Sequence, residues 1–287
     1  MSAAPGARAG PEPALLPEPL AVGTDEEHGG RWTSLRTPGR EWLWTNPRVG
    51  AGKRAAVRPG EAFVDAGGVE ECFPGLRGAP DHGEVWSRPW TGEAPGTASV
   101  RAGALLLRRR LTALPDGGVG ARYAVEGPPG ARVLHAVHAL LALSPAARLL
   151  VPAGAAVTVL DAPGPGALTR TTWPDGAGVR LDRLGPDDGT ARCALVATDR
   201  VAVVDGPDRL ALRWELLRGA GPLSLVLWRN LGGWPAGAPY RSVGVEPLLG
   251  AAVDLATADE QQVGRLDPAG HLGWRVSVRA RTARARP

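Results

Sequence analysis

The chain is built from short apolar runs that end at glycine, proline or aspartate. The turn sequences between them include "PDGG", "PAG" and "GPDD", and helical periodicity sustained over about three turns is nearly absent. Polar and apolar residues alternate in "RWELL" and "WRVSVRA", as expected of half-buried antiparallel strands. No internal repeat of propeller length is visible. These features predict an all-β antiparallel sandwich or barrel.

Composition divides the 287 residues into three parts. Residues 1–22 are rich in proline and alanine and lack apolar periodicity, which predicts a disordered N-terminal tail. Residues 23–281 are long enough to bury a large core and are expected to form a single β-sandwich domain. Residues 282–287 are expected to form a basic C-terminal tail.

The charge pattern does not point to nucleic acid or membrane. The formal net charge is +4, and the arginines are scattered apart from 108–110 and the C-terminal tail. No apolar stretch approaches the roughly 18 residues of a membrane span, and the N-terminus lacks the apolar core of a signal peptide. We therefore expect a cytoplasmic protein with no nucleic-acid or membrane partner. Cys72 and Cys193 are too few for a disulfide framework and show no metal-ligand spacing.

Two histidines stand three residues apart in "RVLHAVHALLAL". On a strand this odd spacing directs His135 and His138 to opposite faces, so one of them at most faces a given cleft. A metal site would need a third ligand at a recognisable spacing, and none stands out.

A lone carboxylate lies in the apolar stretch "RSVGVEPLL". Its two valines share one strand face, whereas Ser242, Gly244 and Glu246 share the other. A buried carboxylate is costly unless it is paired or functional. Two interpretations stay open with equal weight: an ion pair with Arg229 or Arg241, or a functional group in a cleft.

The proline after Glu246 constrains the same strand. Pro247 has no N–H to donate to a sheet, so we expect the strand to end, bulge or lie at an edge there.

Two further stretches carry polar and aromatic side chains close together. "PDHGEVWSRPW" places His82 between two carboxylates, with Trp86 shortly after it. In "DAGGVEECFPGL", Glu70 and Glu71 alternate in direction if extended. One of them should face a cleft, and Glu71 fits slightly better because it adjoins the apolar "CFP". A solvated, outward Glu71 is an equal alternative.

The order of these stretches resembles the aldose 1-epimerase (galactose mutarotase-like) superfamily, in its broad bacterial branch. The resemblance rests on "GGVEECFP", "PDHGEVWSRPW", "HAVHALLALSP", "YRSVGVEPLLG" and "LDPAGHLGWRVSV" and covers about residues 25–280. It implies a large antiparallel β-supersandwich whose cleft binds a monosaccharide. Members of the family interconvert the α and β anomers of an aldose without cofactor or metal.

The resemblance also implies roles for individual residues. Glu246 matches the catalytic base that acts on the anomeric hydroxyl, and His138 matches the acid that acts on the ring oxygen. His82 matches the histidine that binds a sugar hydroxyl. For the walls of the cleft we expect Trp86 first and Trp234 second, because sugars present apolar faces to aromatic rings. Glu71 completes the set of expected substrate-binding residues.

Some positions depart from the family pattern. Ala66 stands where sugar-phosphate epimerases carry arginine, which argues for an unphosphorylated aldose. Val137 and Leu140 replace an asparagine and an aromatic residue around the acid histidine. The substrate-gripping aspartate has two candidates, Asp199 and Asp205, and the sequence does not choose between them.

Two other functions fit the same fold. The first is a non-catalytic carbohydrate-binding protein. The second is a polysaccharide lyase or phosphohexose epimerase; a lyase would need a tyrosine base, and the chain has only Tyr123 and Tyr240. The expected partner is a monosaccharide, and the expected assembly is a monomer or weak homodimer.

Overall fold

The computed structural model of the protein describes residues 14–160 and 168–283. Nearly all of its regular structure is antiparallel β, as the apolar runs predict. The helical segments in this part of the chain are α1 (Ala51–Ala55) and two 3₁₀ turns, Val85–Ser87 and Glu260–Gln262.

One large sheet, here called the cleft sheet, carries the candidate site. Its strands in spatial order are β14 (Thr169–Thr172), β13 (Ala156–Val159), β15 (Thr190–Val196), β18 (Leu223–Trp234), β19 (Tyr240–Leu249), β11 (His135–Leu141), β5 (Val69–Cys72), β3 (Arg31–Thr37) and β2 (Ala21–Asp25), with β4 (Arg40–Glu41) paired to β3.

A second large sheet, here called the outer sheet, covers the other side of the core. Its strands in spatial order are β12 (Arg148–Leu150), β16 (Arg200–Asp205), β17 (Asp208–Arg218), β21 (His271–Ala283), β9 (Val119–Glu126), β8 (Leu105–Ala113), β7 (Thr97–Ala102) and β6 (Thr91–Ala94), with β1 (Leu15–Glu18) paired to β21. A small ribbon joins β10 (Arg132–Val133) to β20 (Gly264–Arg265).

The core lies between the two large sheets. One apolar cluster contains Val243 and Val245 of the cleft sheet together with Leu210, Trp274 and Val276 of the outer sheet. Strand alternation explains this arrangement, because every second side chain of each strand points into the sandwich. The predicted β-sandwich is confirmed.

The strand with Pro247 is central, which corrects the expectation of an end, bulge or edge. β19 pairs with β18 on one side and with β11 on the other. Pairing with β11 forms at Leu248 and at Gly244 but is interrupted between them, without a shift of register. The missing donor of Pro247 is therefore accommodated by a local gap in the ladder, and this gap lies beside Glu246.

The ends of the ordered fold differ from the predicted boundaries. β1 and β2 begin within the segment predicted to be a disordered tail, and β21 extends to Ala283. β1 belongs to the fold because its backbone pairs with β21, a contribution that apolar periodicity does not report. The remainder of both predicted tails, residues 1–13 and 284–287, lies outside the described residues. None of the helices in the described ranges is long and apolar enough to span a membrane.

Candidate active site

A cleft of about 670 Å³ opens over the cleft sheet. Its floor comes from β11, β15, β18 and β19, and its walls come from loops around residues 46–65, 76–82 and 234–240. The floor residues lie on the face opposite the core because strand side chains alternate. The floor side chains include His138, Leu140, Cys193, Val226, Trp228 and Glu246.

Three polar residues form a row across the floor side of the cleft sheet. Glu70 of β5 pairs in register with His138 of β11. The register that β11 keeps with β19 on both sides of the Pro247 gap brings Glu246 opposite His138. His138 Nε2 lies 3.6 Å from Glu246 Oε1. The antiparallel register thus brings together two residues that are far apart in sequence.

Glu246 is buried, with 2% of its surface exposed. Burial raises its pKa to about 7, even though the charges of His138 and Arg77 favour the ionised form. Its side chain lies back over Gly244: a Cβ at that glycine would stand 2.2 Å from Glu246 Oε1. A carboxyl group with this pKa can accept and release a proton near neutral pH.

The arginines proposed as partners of Glu246 bind other carboxylates. Arg229 Nη2 lies 3.0 Å from Asp188, and Arg241 Nη1 lies 2.7 Å from Asp187. The predicted ion pair of Glu246 with Arg229 or Arg241 therefore does not form.

His138 is held by ring contacts. Its ring packs edge-on against Phe63, with centroids 5.8 Å apart, and against His82, with centroids 5.2 Å apart. Its Nδ1 is buried without a hydrogen-bond partner among the described residues. Aromatic packing thus fixes the ring in the absence of a neighbouring asparagine.

His82 lines the same cleft in a left-handed backbone conformation, with φ of 61°. Its ring stacks on Phe63 with centroids 3.5 Å apart, and its Nδ1 lies 3.1 Å from Asp81 Oδ2. Glu84 instead pairs with Arg88 at 2.6 Å. Non-glycine residues with positive φ are uncommon and cluster at functional sites. The backbone conformation of His82 therefore agrees with a functional role for its side chain.

The two tryptophans predicted as walls differ in position. Trp234 lines the cleft and is 53% exposed. Trp86 is 1% exposed and does not line the cleft; it packs against Phe63 with centroids 4.9 Å apart and under the guanidinium of Arg54. This corrects the expectation for Trp86, which supports the wall from behind because the wall itself is formed by Phe63.

Glu71 also lies elsewhere than predicted. It points into the core, where Arg109 Nη1, Tyr123 Oη and His135 Nε2 approach its carboxylate at 2.8, 3.0 and 3.1 Å. Burial opposes its ionisation, but the contacts with His135 and Arg109 outweigh it and lower the pKa. Both the cleft-facing and the solvated interpretations of Glu71 are wrong, since the strand alternation turns this side chain toward the outer sheet.

Glu70 takes the cleft-side position of this pair. Arg54 binds it through two guanidinium nitrogens, each 3.0 Å away, and covers it. Burial raises the pKa of Glu70, against the charge of Arg54. The carboxylate of Glu70 is therefore bound by Arg54, and Glu70 is not among the cleft-lining residues.

Sequence reasoning missed several cleft residues. Asp65 accepts hydrogen bonds from Tyr240 Oη at 2.7 Å and from the backbone N–H of Gly67 at 3.2 Å. Arg77 and Lys53, the one lysine of the chain, also line the cleft. The one available signal for Asp65 was its position two residues before the paired glycines Gly67 and Gly68, which both have positive φ.

Neither predicted aspartate reaches the cleft. Asp205 binds Arg40 at 2.5 Å, and Asp199 lies 3.5 Å from Arg200. The aspartates that do line it are Asp65 and Asp81. Within the described ranges, no group of three or more histidine, cysteine, aspartate or glutamate side chains is arranged to hold a metal ion.

Comparison with known proteins supports the fold. No protein-family model matches the chain, and no curated protein sequence matches it. A protein of Synechocystis sp. PCC 6803 superposes with a TM-score of 0.65 at 15% identity, covering 99% of this chain and 100% of that one. A galactose mutarotase-like protein of Clostridium acetobutylicum gives 0.61 at 12% identity, covering 93% and 94%. An aldose epimerase homologue of C. elegans gives 0.59 at 13% identity, covering 95% and 100%.

The chain therefore has the galactose mutarotase-like fold that its sequence motifs imply. At these identities the likeness extends to the fold alone.

Proposed function

We propose that the protein interconverts the α and β anomers of an unphosphorylated aldose, as a cofactor-independent aldose 1-epimerase. The observation that carries this proposal is the contact of His138 Nε2 with Glu246 Oε1, 3.6 Å apart, on the floor of a cleft of about 670 Å³. Volumes of about 300–1,000 Å³ are typical of small-molecule sites.

Mutarotation needs one base and one acid at neighbouring oxygens of the sugar. Glu246 removes the proton of the anomeric hydroxyl while His138 donates a proton to the ring oxygen. The bond between the anomeric carbon and the ring oxygen breaks, and an open-chain aldehyde forms. Rotation about the C1–C2 bond presents the other face of the aldehyde, and the reverse transfers close the ring and restore both residues.

The remaining cleft residues fit substrate binding. The edge of His82 offers a ring nitrogen to a sugar hydroxyl, and Trp234 offers an exposed aromatic face to the apolar side of the ring. Asp65, held by Tyr240, adds a carboxylate in the same cleft. Ala66 carries no charge for a phosphate group, which favours an unphosphorylated substrate. The expected location is the cytoplasm.

Polarimetry of freshly dissolved α-glucose and α-galactose tests the proposal. We expect the wild type to accelerate mutarotation over buffer, and Glu246→Gln and His138→Asn each to lower kcat/KM by about 10²–10⁴-fold, the usual contribution of a positioned proton donor or acceptor. Glu215→Gln, a matched change on the outer sheet, should leave the rate unchanged. Absence of acceleration by the wild type with a panel of aldoses would exclude the epimerase.

The pH dependence of the rate follows from the carboxyl group. Because Glu246 works as a base in its ionised form and its pKa is raised to about 7, kcat/KM should fall as the pH drops below about 7. A rate that stays constant from pH 7 to pH 5 would contradict the role of Glu246 as the base.

A non-catalytic carbohydrate-binding protein is the second candidate. The observation that favours it is the unpartnered Nδ1 of His138, since catalytic histidines are commonly oriented by a hydrogen bond at the second nitrogen. Calorimetric binding of a monosaccharide without acceleration of its mutarotation would support this candidate.

A further inference from the structure

The exposed face of the outer sheet carries many arginine side chains. Side chains alternate along each strand, so inward positions are buried and outward positions meet solvent. The outward arginines, which come from seven strands, are Arg101, Arg108, Arg110, Arg122, Arg148, Arg200, Arg209, Arg213, Arg218, Arg275, Arg279 and Arg281. They are scattered along the sequence, and the antiparallel register collects them on one surface.

The register places several of these arginines directly beside one another. Arg110, Arg122 and Arg275 are neighbours on three adjacent strands. Arg200 pairs with Arg213, and Arg209 pairs with Arg281, in the same sheet. Like charges at directly opposed positions destabilise a sheet, so folding alone does not favour this arrangement.

Carboxylates neutralise part of the positive charge on this face. Arg108 binds Glu93 and Glu126, and the remaining ion pairs on this face join Arg275 to Glu215, Arg279 to Asp116, Arg200 to Asp199 and Arg218 to Asp267. Arg110, Arg122 and Arg213 make no ion pair with any described residue.

The charge is therefore segregated. Twelve arginines face six carboxylates, an excess of six positive charges, whereas the whole chain carries +4. The rest of the molecule is thus slightly negative. Segregation of this kind creates a surface potential that attracts anionic partners.

The dimensions of the face match an extended polyanion. From β7 to β12 the sheet crosses six strand spacings, or about 29 Å at about 4.8 Å each. One turn of duplex DNA rises about 34 Å. A groove of about 500 Å³ at one end of the face is lined by Arg200, Arg213 and Arg279 over an apolar floor, and offers room for a sugar-phosphate backbone.

The side chains on this face also select among anionic partners. Guanidinium groups bind phosphate through two parallel hydrogen bonds. The aromatic residues of these strands, Tyr123, Trp214 and Trp274, are buried in the core, so the face lacks the stacking platforms of single-strand sites. Leu150 and Leu217 are the large apolar side chains exposed there, which is little for insertion into a membrane.

We propose that the exposed face of the outer sheet binds the phosphate backbone of duplex nucleic acid, without reading its sequence. This interaction goes beyond the sugar chemistry of the cleft, which lies on the other sheet. The proposal differs from the expectation in the sequence analysis that nucleic acid is not a partner, which rested on the scattered order of the arginines along the chain and stays untested.

Fluorescence anisotropy with a labelled 20-base-pair duplex of arbitrary sequence tests the proposal, from 50 to 200 mM NaCl. We expect binding that weakens steeply with salt, because each neutralised phosphate contributes about −0.9 to the slope of log K against log salt. The triple variant Arg110→Ser, Arg122→Ser, Arg213→Ser should bind at least tenfold more weakly at 50 mM and reduce the magnitude of that slope by about 2.7, for three phosphate contacts.

The matched control removes three arginines from the other side of the molecule. Arg36→Ser, Arg58→Ser, Arg170→Ser lowers the net charge equally, and these exposed positions lie outside the outer sheet. We expect this control to keep at least half of the wild-type affinity. Both variants should retain the wild-type melting temperature within a few degrees, which shows that they fold.

Three results would overturn the proposal. The first is no binding of the duplex at 50 mM NaCl. The second is an equal loss of affinity in the two triple variants, which would indicate general charge attraction. The third is tighter binding to vesicles containing phosphatidylserine, or to poly-glutamate of equal charge, than to the duplex, which would assign the face to another class of partner.

Discussion

Glu246 shows how one side chain is tuned by its immediate surroundings. Its carboxyl group is buried against an apolar strand and folded over Gly244, with His138 Nε2 3.6 Å from its Oε1. The sequence identified this residue as the one carboxylate out of place in an apolar stretch. Its partner His138 followed from the family resemblance and not from the residues alone, because the contact of His138 with Glu246 depends on the pairing of β11 with β19.

The raised pKa of Glu246 predicts a change of stability with pH. The folded pKa is about 7, against 4.5 for a free glutamate. Below pH 4.5 both states hold the proton, and between 4.5 and 7 only the unfolded state releases it. The free energy of unfolding therefore falls as pH rises through this window, by about 3 kcal/mol in total.

Glu246→Gln removes this penalty. The variant should be more stable than the wild type by up to about 3 kcal/mol at pH 8, with the difference vanishing near pH 4.5. Urea unfolding at both pH values measures it. A difference that does not change with pH would contradict the raised pKa of Glu246.

Gly244 provides the space that the carboxylate occupies. In Gly244→Ala the new methyl group would stand 2.2 Å from Glu246 Oε1, so the carboxylate must move away from its present place. We expect kcat/KM for mutarotation to fall at least tenfold while the protein stays folded, because misplacement by about 1 Å is enough for large losses.

Gly92→Ala is the matched control for this change. Gly92 also lies in a strand, and a Cβ there meets nothing within 4 Å. If both variants keep wild-type activity, Gly244 does not position the base.

At the scale of elements, the two faces of β11 and β5 serve different purposes. On the cleft side these strands present His138 and Glu70, and on the core side they present His135 and Glu71. His135 Nδ1 accepts a hydrogen bond from Trp274 of the outer sheet at 3.0 Å, and its Nε2 lies next to Glu71. The core-side network ties the strands that carry the site to the opposite sheet.

Glu71→Gln should weaken this tie. The change leaves the buried guanidinium of Arg109 without a carboxylate, and breaking a buried ion pair typically costs about 3–5 kcal/mol. Urea unfolding at pH 7 measures the loss. Glu215→Gln breaks an exposed pair with Arg275 and should cost about 1 kcal/mol or less. Similar losses in the two variants would show that the Glu71 network does not stabilise the fold.

For the whole molecule, patterns of period two and turn sequences were enough to predict the β-sandwich, because burial on one strand face is a local property of sequence. The faces of His135 and His138 followed from spacing alone. Glu71 was placed on the cleft side because the sequence does not show which face of a strand a loop will cover. Trp86 was placed in the lining because the sequence does not show whether an aromatic ring lines a wall or supports it from behind. Phe63 and Asp65, which form that cover, lie in a loop without periodicity.

If the cleft binds a sugar as we propose, the stacking of His82 on Phe63 has a consequence for how that sugar is recognised. The ring of His82 is parallel to that of Phe63, with centroids 3.5 Å apart, so Phe63 covers one face of the imidazole. A ligand in the cleft can contact the imidazole through its edge, where hydrogen bonds are directional. Stacking against an apolar face of the ligand is available from Trp234 instead. Under the proposed function, discrimination between epimers that differ in one hydroxyl would depend on His82, and the strength of sugar binding would depend on Trp234.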